Sequence, residues 1–247
     1  LTAKTLATAF NKSFFGIHHI EGHIMAPFLK DETYNGPDYF DQNFLALAVS
    51  GGHTQLYLVK GFGHYETLGS TIDDAAGEAF DKFAKMLSLG YPGGVQVDQW
   101  AQTGDSKAFD FPRPLMKEDH YNFSFSGLKS SAQRMLAKMS DEEIEKNKAN
   151  LCASYQQAIV DVLVYKMEKA IKEYKLRYFI VSGGVSANSA LRKAAQELAQ
   201  KLNVELAIPP LRYCTDNAAM IALVSLFKLQ KGESSPQDLA PSPRSAL

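Results

Sequence analysis

Apolar residues recur along the chain with two periods, and the way these alternate lays out an α/β order. The run FLALAV at 44–49 is continuous and stops at Ser50-Gly51-Gly52. HTQLYLVKG follows, so the pattern predicts two strands joined as a β-hairpin around the glycines. A third strand is expected at 65–68. Ala75, Ala76, Ala79, Phe80, Phe83, Met86 and Leu87 then share one helical stripe, with Asp74, Glu78, Asp81 and Lys85 on the opposite one. Ser70 or Thr71 suits the N-terminal cap of that helix, with Asp74 as a capping-box acid. Gly90-Tyr91-Pro92-Gly93-Gly94 breaks it.

Residues 104–126 read as irregular, and helices are expected at 127–138, 142–174 and 188–202. RYFIVSGG at 177–184 reads as a buried strand ending in a glycine turn, 204–208 as a short strand and 217–229 as the last helix. Ahead of the hairpin, 1–9 reads as the end of a helix, with Leu1, Leu6 and the alanines on its apolar side. Asn11 and Gly16 close it, 15–18 suits a short strand, and 19–29 a helix limited by Pro27. Residues 30–43 form a loop. The Pro- and Ser-rich tail SSPQDLAPSPRSAL is expected to be mobile. The chain opens on Leu1 rather than Met, and a preceding N-terminal segment is expected.

A chain of 247 residues, 45% hydrophobic, can bury a core in one large domain or two lobes. Its formal net charge of −1 supplies no overall field for nucleic acid or an anionic membrane, so any RNA contact must be local or come through a partner. Two cysteines, Cys152 and Cys214, make no disulfide framework and point to a reducing cytoplasm. No signal peptide is evident, and the apolar run at 220–227 is too short to span a bilayer.

The sharpest local chemistry is HHIEGH at 18–23. His19 and His23 are four apart and share a helix face, which suits two imidazoles on one transition metal; two ordinary core or surface histidines are the alternative. In the zinc-protease box H-E-x-x-H the glutamate directly follows the first histidine. Here Glu21 falls about 200° round the helix from His19 and would face away from a metal. Asp216, in CTDN before the last helix, would complete a two-His, one-carboxylate set suited to Fe(II) or Zn(II), or else merely cap that helix. Cys214 reads as a buried structural thiol.

Val-Ser-Gly-Gly occurs at 49–52 and again at 181–184, each time after an apolar strand. Such a turn exposes backbone N–H groups that can hold phosphate oxygens, although most glycine turns serve geometry only. Asn188, leading into a helix, can cap it or bond a nucleotide. Asp81 and Asp98 flank Gly93-Gly94 and can bind ribose hydroxyls or a substrate amine; a solvated helix face and a helix cap are their plainer roles. Phe123, Phe125, Lys129 and Arg134 pair aromatics with cations as RNA binders do, while core packing is the plainer role for the phenylalanines.

In order, HHIEGH, LAVSGGHTQL, STIDDAAGEAFDKFAKMLSLGYPGG, FSFSGLK, SGGVSANSALR and CTDNAAMIA resemble motifs of the bacterial tRNA threonylcarbamoyl transferase family, over about residues 11 to 230. The resemblance implies the two-lobed α/β fold of the actin, sugar kinase and Hsp70 ATPase superfamily, with part of the first lobe missing. Residues 1–43 would be its remnant and 44–247 the second lobe, the last helix packing back on the first. It implies transfer of the threonylcarbamoyl group from threonylcarbamoyl-AMP to the adenosine 3′ of the tRNA anticodon. His19, His23 and Asp216 match the family's ligands for one Fe(II) or Zn(II) per chain. Ala48, Val49, Ser50, Gly51, Gly52, Asp81, Gly94, Asp98 and Asn188 match its adenylate-binding positions, and ATP or another adenine nucleotide would fit the same cleft. The implied partners are tRNA, a non-catalytic paralogue through the first lobe and a small ATPase, with no membrane. The family's opening strand and loop are not in this chain, which implies weak or no catalysis by it alone. A sialoglycoprotein-cleaving metalloprotease, an ATP-dependent kinase of the same superfamily and a non-enzymatic scaffold are the alternatives; Glu21 opposes the first and the histidine pair the other two.

Overall fold

The computed structural model describes residues 2–242 and 247. One five-stranded sheet organises it, in the order β3-β2-β1-β4-β5: β1 (Phe44–Val49), β2 (Thr54–Val59), β3 (Tyr65–Ser70), β4 (Tyr178–Ser182) and β5 (Glu205–Ala207). β1, β2 and β3 run antiparallel, whereas β1, β4 and β5 run parallel, with Leu45 opposite Phe179 and Leu47 opposite Val181. Every residue of β1 is buried, because the sheet is covered on both faces. That is why FLALAV shows no polar alternation.

Leu45, Leu47, Val49, Phe179 and Val181 project to one face. Packed there are α3 (Ala76–Met86), α4 (Gly93–Ala101), α5 (Ser126–Leu136), α6 (Asp141–Glu173) and α7 (Ser189–Leu202). Phe83 and Tyr155 stack at 3.8 Å near the centre, and the Tyr155 hydroxyl donates to the Ala79 carbonyl at 3.2 Å. Phe44, Ala46, Ala48 and Ile180 project to the other face, under α2 (His19–Met25) and α8 (Ala218–Gln230). These two helices approach closely at Gly22, where a Cβ would meet Ile221 at 3.1 Å and Met220 at 3.2 Å. The first helix, α1 (Thr2–Ala9), buries only Ala7; Leu1 lies outside the described residues.

Several local expectations give way to tertiary contacts. Residues 15–18 join no sheet. α3 begins at Ala76 and is capped from β2: the Thr54 hydroxyl, fully buried, accepts the Ala76 N–H at 2.9 Å. Thr71 instead donates to the Asp74 carbonyl. Gly90 to Pro92 do break the chain, but Gly93 opens α4, its N–H donated to Asp81 at 2.8 Å. The described part of the tail is anchored: the Ser235 N–H donates to Phe14 O at 2.7 Å, and its hydroxyl accepts the Gly16 N–H at 2.9 Å. Residues 243–246 of the tail lie outside the described residues.

Phe123 and Phe125 are fully buried and unavailable for stacking on a base. Both cysteines are buried and unpaired, and burial pushes the Cys152 thiol up to about 12. Among the described residues no helix is long and apolar enough to cross a membrane.

Candidate metal and nucleotide site

The carboxyl ends of the parallel strands β1 and β4 lie side by side, at the point where the order of the strands reverses. Open α/β sheets form their ligand crevice at such a point. The candidate residues gather around this end from both faces of the sheet.

On the α2 and α8 side, His19 occupies the first position of α2 and His23 lies one turn on. Their rings meet edge to face with centroids 4.7 Å apart. Asp216 precedes α8. The cap of that helix is Asn217, whose side chain accepts the Met220 N–H at 2.9 Å. Asp216 is thereby left to face the histidines: its Oδ1 lies 3.2 Å from His19 Nε2 and 3.1 Å from His23 Nε2. On ligand bonds of about 2.1 Å, two donors stand about 3.0 Å apart at a right angle and about 3.4 Å apart at the tetrahedral angle. The separations from Asp216 to each histidine fall between, and all three donor atoms lie within 4.8 Å of one another, a group that could hold one ion. Among the described residues no other set of three or more His, Cys, Asp or Glu donors converges in this way.

The state of His23 supports the same assignment. Its side chain is 1% exposed, and neither ring nitrogen makes an aligned hydrogen bond; close as it is, Asp216 meets Nε2 off the hydrogen-bonding direction. A buried polar group without a partner is unfavourable by about 1–3 kcal/mol, and a metal ion would satisfy Nε2. Burial, then the neighbouring His19, lowers the pKa of His23, against an opposing pull from Asp216. The imidazole is therefore neutral at pH 7, as a ligand must be. Glu21 turns away: it is 4% exposed and accepts from the Tyr65 hydroxyl at 3.0 Å, so it cannot serve as the base of a metalloprotease. Cys214 lies outside the donor group, buried against Arg192 at 3.1 Å.

Ala48 and Val49 end β1, both buried. Ser50, Gly51 and Gly52 form the hairpin turn, and nothing lies within 4 Å of where a Cβ would sit on either glycine, so their backbone is open to a ligand. The turn leans on α3, with the Gly77 N–H donated to the Ser50 carbonyl at 3.2 Å and no room for a side chain at Gly77.

The remaining candidates lie on the α3, α4 and α7 side. Asp81 holds the start of α4 through Gly93. Gly94 and Asp98 are one turn apart on α4, and Asp98 accepts both the backbone N–H of Ser189 (3.1 Å) and its hydroxyl (2.6 Å). Asn188 caps α7 through Leu191 and donates to Gln156 at 2.6 Å. These side chains thus tie the starts of α4 and α7 into one rim, and they are separate from the His19, His23 and Asp216 group.

Sequence reasoning passed over His53, directly after the glycine turn. Burial, then His19 and His18, lower its pKa, while Asp216 raises it. It therefore sits within the field of the donor group. The signal for it was its position beside the turn, since nothing in its spacing from the other histidines is regular.

The family described as TsaD, tRNA N6-adenosine threonylcarbamoyltransferase, matches residues 1–223. A tRNA N6-adenosine threonylcarbamoyltransferase of Bdellovibrio bacteriovorus is 54% identical over 244 residues, covering 99% of this chain and 71% of that protein. One of Thermosipho africanus is 44% identical, covering 98% and 71%, and one of Pelobacter propionicus 49%, covering 94% and 66%. In structure the chain is similar to T. kodakarensis HypF, with a TM-score of 0.65 at 13% identity over 90% of this chain and 38% of that one. It also resembles component A of the (R)-2-hydroxyglutaryl-CoA dehydratase of Acidaminococcus fermentans, with a TM-score of 0.50 at 14% identity over 87% of this chain and 70% of that one. Likeness at such identities speaks for the fold alone, and the fold is that of the actin, sugar kinase and Hsp70 ATPase superfamily.

Proposed function

The chain belongs to the tRNA N6-adenosine threonylcarbamoyltransferase family, and on that premise we propose that it transfers a threonylcarbamoyl group from threonylcarbamoyl-AMP to the N6 amine of the adenosine 3′ of the tRNA anticodon. The observation that carries the reading is the convergence of His19, His23 and Asp216 beside an open glycine hairpin.

His19, His23 and Asp216 would hold one Fe(II) or Zn(II), which when bound supplies Lewis-acid polarisation of a carbonyl. Gly51 and Gly52 present unobstructed backbone to the adenylate phosphate, the leaving group, while the Ser50 N–H is donated to the His53 carbonyl and closes the turn. Asp81, Gly94, Asp98 and Asn188 form the rim for the adenosine. Asp81 keeps its second carboxylate oxygen, and Asn188 one amide hydrogen, beyond the bonds already described. Another adenine nucleotide, such as ATP, would fit the same rim. In this arrangement the acyl end of the substrate lies toward the α2 and α8 face and the adenosine toward α3, α4 and α7, with the turn between them. The chain's contribution is chiefly orientation: it holds the carbamoyl carbonyl with one face open to the incoming amine and the phosphate placed to leave as AMP.

On this reading residues 1–43 belong with a first lobe and 44–247 with a second. The lobe before residue 43 receives the non-catalytic paralogue, a small ATPase assists turnover, and the work is done in the cytoplasm. The test is incubation of the chain with its partner proteins, threonylcarbamoyl-AMP and unmodified tRNA, followed by mass spectrometry of the nucleosides. Threonylcarbamoyladenosine should form with the parent and fail to form with His23→Ala or Asp216→Ala. Equal product from all three would overturn the assigned site. Metal-dependent cleavage of a glycoprotein, without tRNA modification, would overturn the reaction.

A further inference from the structure

We propose that Asp31 is a positioning residue for the metal centre, clasping the two separate stretches of chain that supply its ligands. The inference rests on the reading of His19, His23 and Asp216 as a metal site.

The histidines arrive on α2 and the carboxylate on the segment leading into α8, and nothing in the local sequence holds these stretches in register. Asp31 lies in the loop that leaves α2. Its Oδ1 accepts the Thr33 N–H (2.7 Å), the Thr33 hydroxyl (2.9 Å) and the Tyr34 N–H (2.9 Å), which folds the loop upon itself. Its Oδ2 accepts from Arg212 Nη2 (2.6 Å) and Nε (3.1 Å) and from the Tyr213 hydroxyl (2.6 Å). Arg212 also donates to the Thr33 hydroxyl at 2.6 Å. One carboxylate therefore binds the loop after His23 to the residues just before Asp216. The loop is anchored in turn, since the Tyr34 hydroxyl donates to the Pro27 carbonyl at 2.6 Å.

An isolated surface ion pair contributes little, but an Arg fork with further donors on one carboxylate forms a network with a defined direction. The hydrogen bonds from Tyr213, Arg212 and Thr33 hold the Asp31 carboxyl far below the usual carboxylate range, so the clasp is charged throughout the physiological range. Its effect on the site is geometric. Asp216 is largely exposed, with its side chain 74% accessible, and packing of the side chain itself cannot hold it against the histidines. Its position comes from the backbone, which the clasp fixes on one side and the α2–α8 contact at Gly22 on the other.

The test is Zn(II) affinity of the metal-stripped chain, measured by calorimetry with a competing chelator, together with the visible spectrum of the Co(II) form. Removing groups that orient metal ligands typically weakens binding about 10- to 100-fold. Asp31→Ala should raise the Zn(II) Kd by about 10-fold or more and alter the Co(II) spectrum. Asp31→Asn, which keeps the acceptor shape, and Tyr213→Phe, which removes one bond, should fall between it and the parent; they decide the matter if the alanine variant does not fold. A role in stability alone would lower the Tm of these variants and leave Kd and spectrum at parental values, and that result overturns the proposal. If the parent itself binds no stoichiometric metal, the metal reading fails first and the clasp falls with it.

Discussion

Gly51 and Gly183 occupy equivalent places in the repeated Val-Ser-Gly-Gly, and replacing each by alanine separates a glycine kept for access from one kept for geometry. Gly183 has φ +89° and ψ 168°, a backbone region essentially confined to glycine. A Cβ there would lie 2.4 Å from the carbonyl oxygen of Val49 and 2.8 Å from its carbonyl carbon. Neither atom can yield easily, because β1 is paired on both sides. Holding a non-glycine residue in that region is unfavourable by about 1–3 kcal/mol, and overpacking adds about 1–3 kcal/mol. Gly183→Ala should therefore lose about 2–6 kcal/mol against a typical total of about 5–15 kcal/mol. With a urea m-value of about 3 kcal/mol/M, a loss of 3 kcal/mol moves the midpoint down by about 1 M. Gly51 has open space around it and an ordinary φ, so Gly51→Ala should stay within about 0.5 kcal/mol of the parent and instead weaken binding of the acyl-adenylate. Urea unfolding followed by circular dichroism, with ligand binding measured in parallel, reads both. Equal midpoints for the two variants would refute the reasoning.

Thr54→Val keeps the shape of the side chain but removes the acceptor at the start of α3, and should lower stability by about 1–2 kcal/mol; a thermal unfolding midpoint equal to the parent's would exclude the cap. Phe83→Ala removes half of the stacked pair with Tyr155 and should lose about 3–5 kcal/mol, again read from the urea midpoint, where a loss below 1 kcal/mol would contradict the packing described. In the metal-free chain, His23 and His53 bind protons less readily when folded than when unfolded. As pH falls below the ordinary histidine value of about 6.5, the unfolded chain takes up protons first and stability drops; midpoints at pH 7.5, 6.5 and 5.5 should decline in that order, more gently in His23→Asn, and a rise toward low pH would contradict the assignment. Zn(II) at 100 times its Kd should stabilise the parent by about 2.7 kcal/mol and leave Asp216→Ala unmoved, as differential scanning fluorimetry can show.

How much could be read from the sequence depended on whether the cause was local. FLALAV, the stripe from Ala76 to Phe83 and the long helix expected at 142–174 each carry their own signal, and each stands where it was expected. The cap of α3 did not, because Thr54 reaches Ala76 only once the hairpin has folded. α4 was hidden by Pro92, Gly93 and Gly94, which read as a break although Gly93 starts a helix held by Asp81. For the site, the four-residue spacing of His19 and His23 was legible as a pair. The choice between cap and ligand for Asp216 was not; Asn217 takes the cap, which leaves Asp216 facing the two histidines. The repeated Val-Ser-Gly-Gly looked like two turns of one kind. In space the first is an open hairpin and the second a crowded exit from β4, a distinction set wholly by what lies opposite.

The candidate triad draws two of its members from ahead of the first strand and the third from beyond the last. On a ribosome the imidazole pair emerges nearly two hundred residues ahead of the carboxylate. An ion met by the nascent chain would find only two donors and leave again, so firm capture awaits the docking of α8. Loading thus waits on α8, and a polypeptide terminated before that helix would hold no ion however well its sheet had formed.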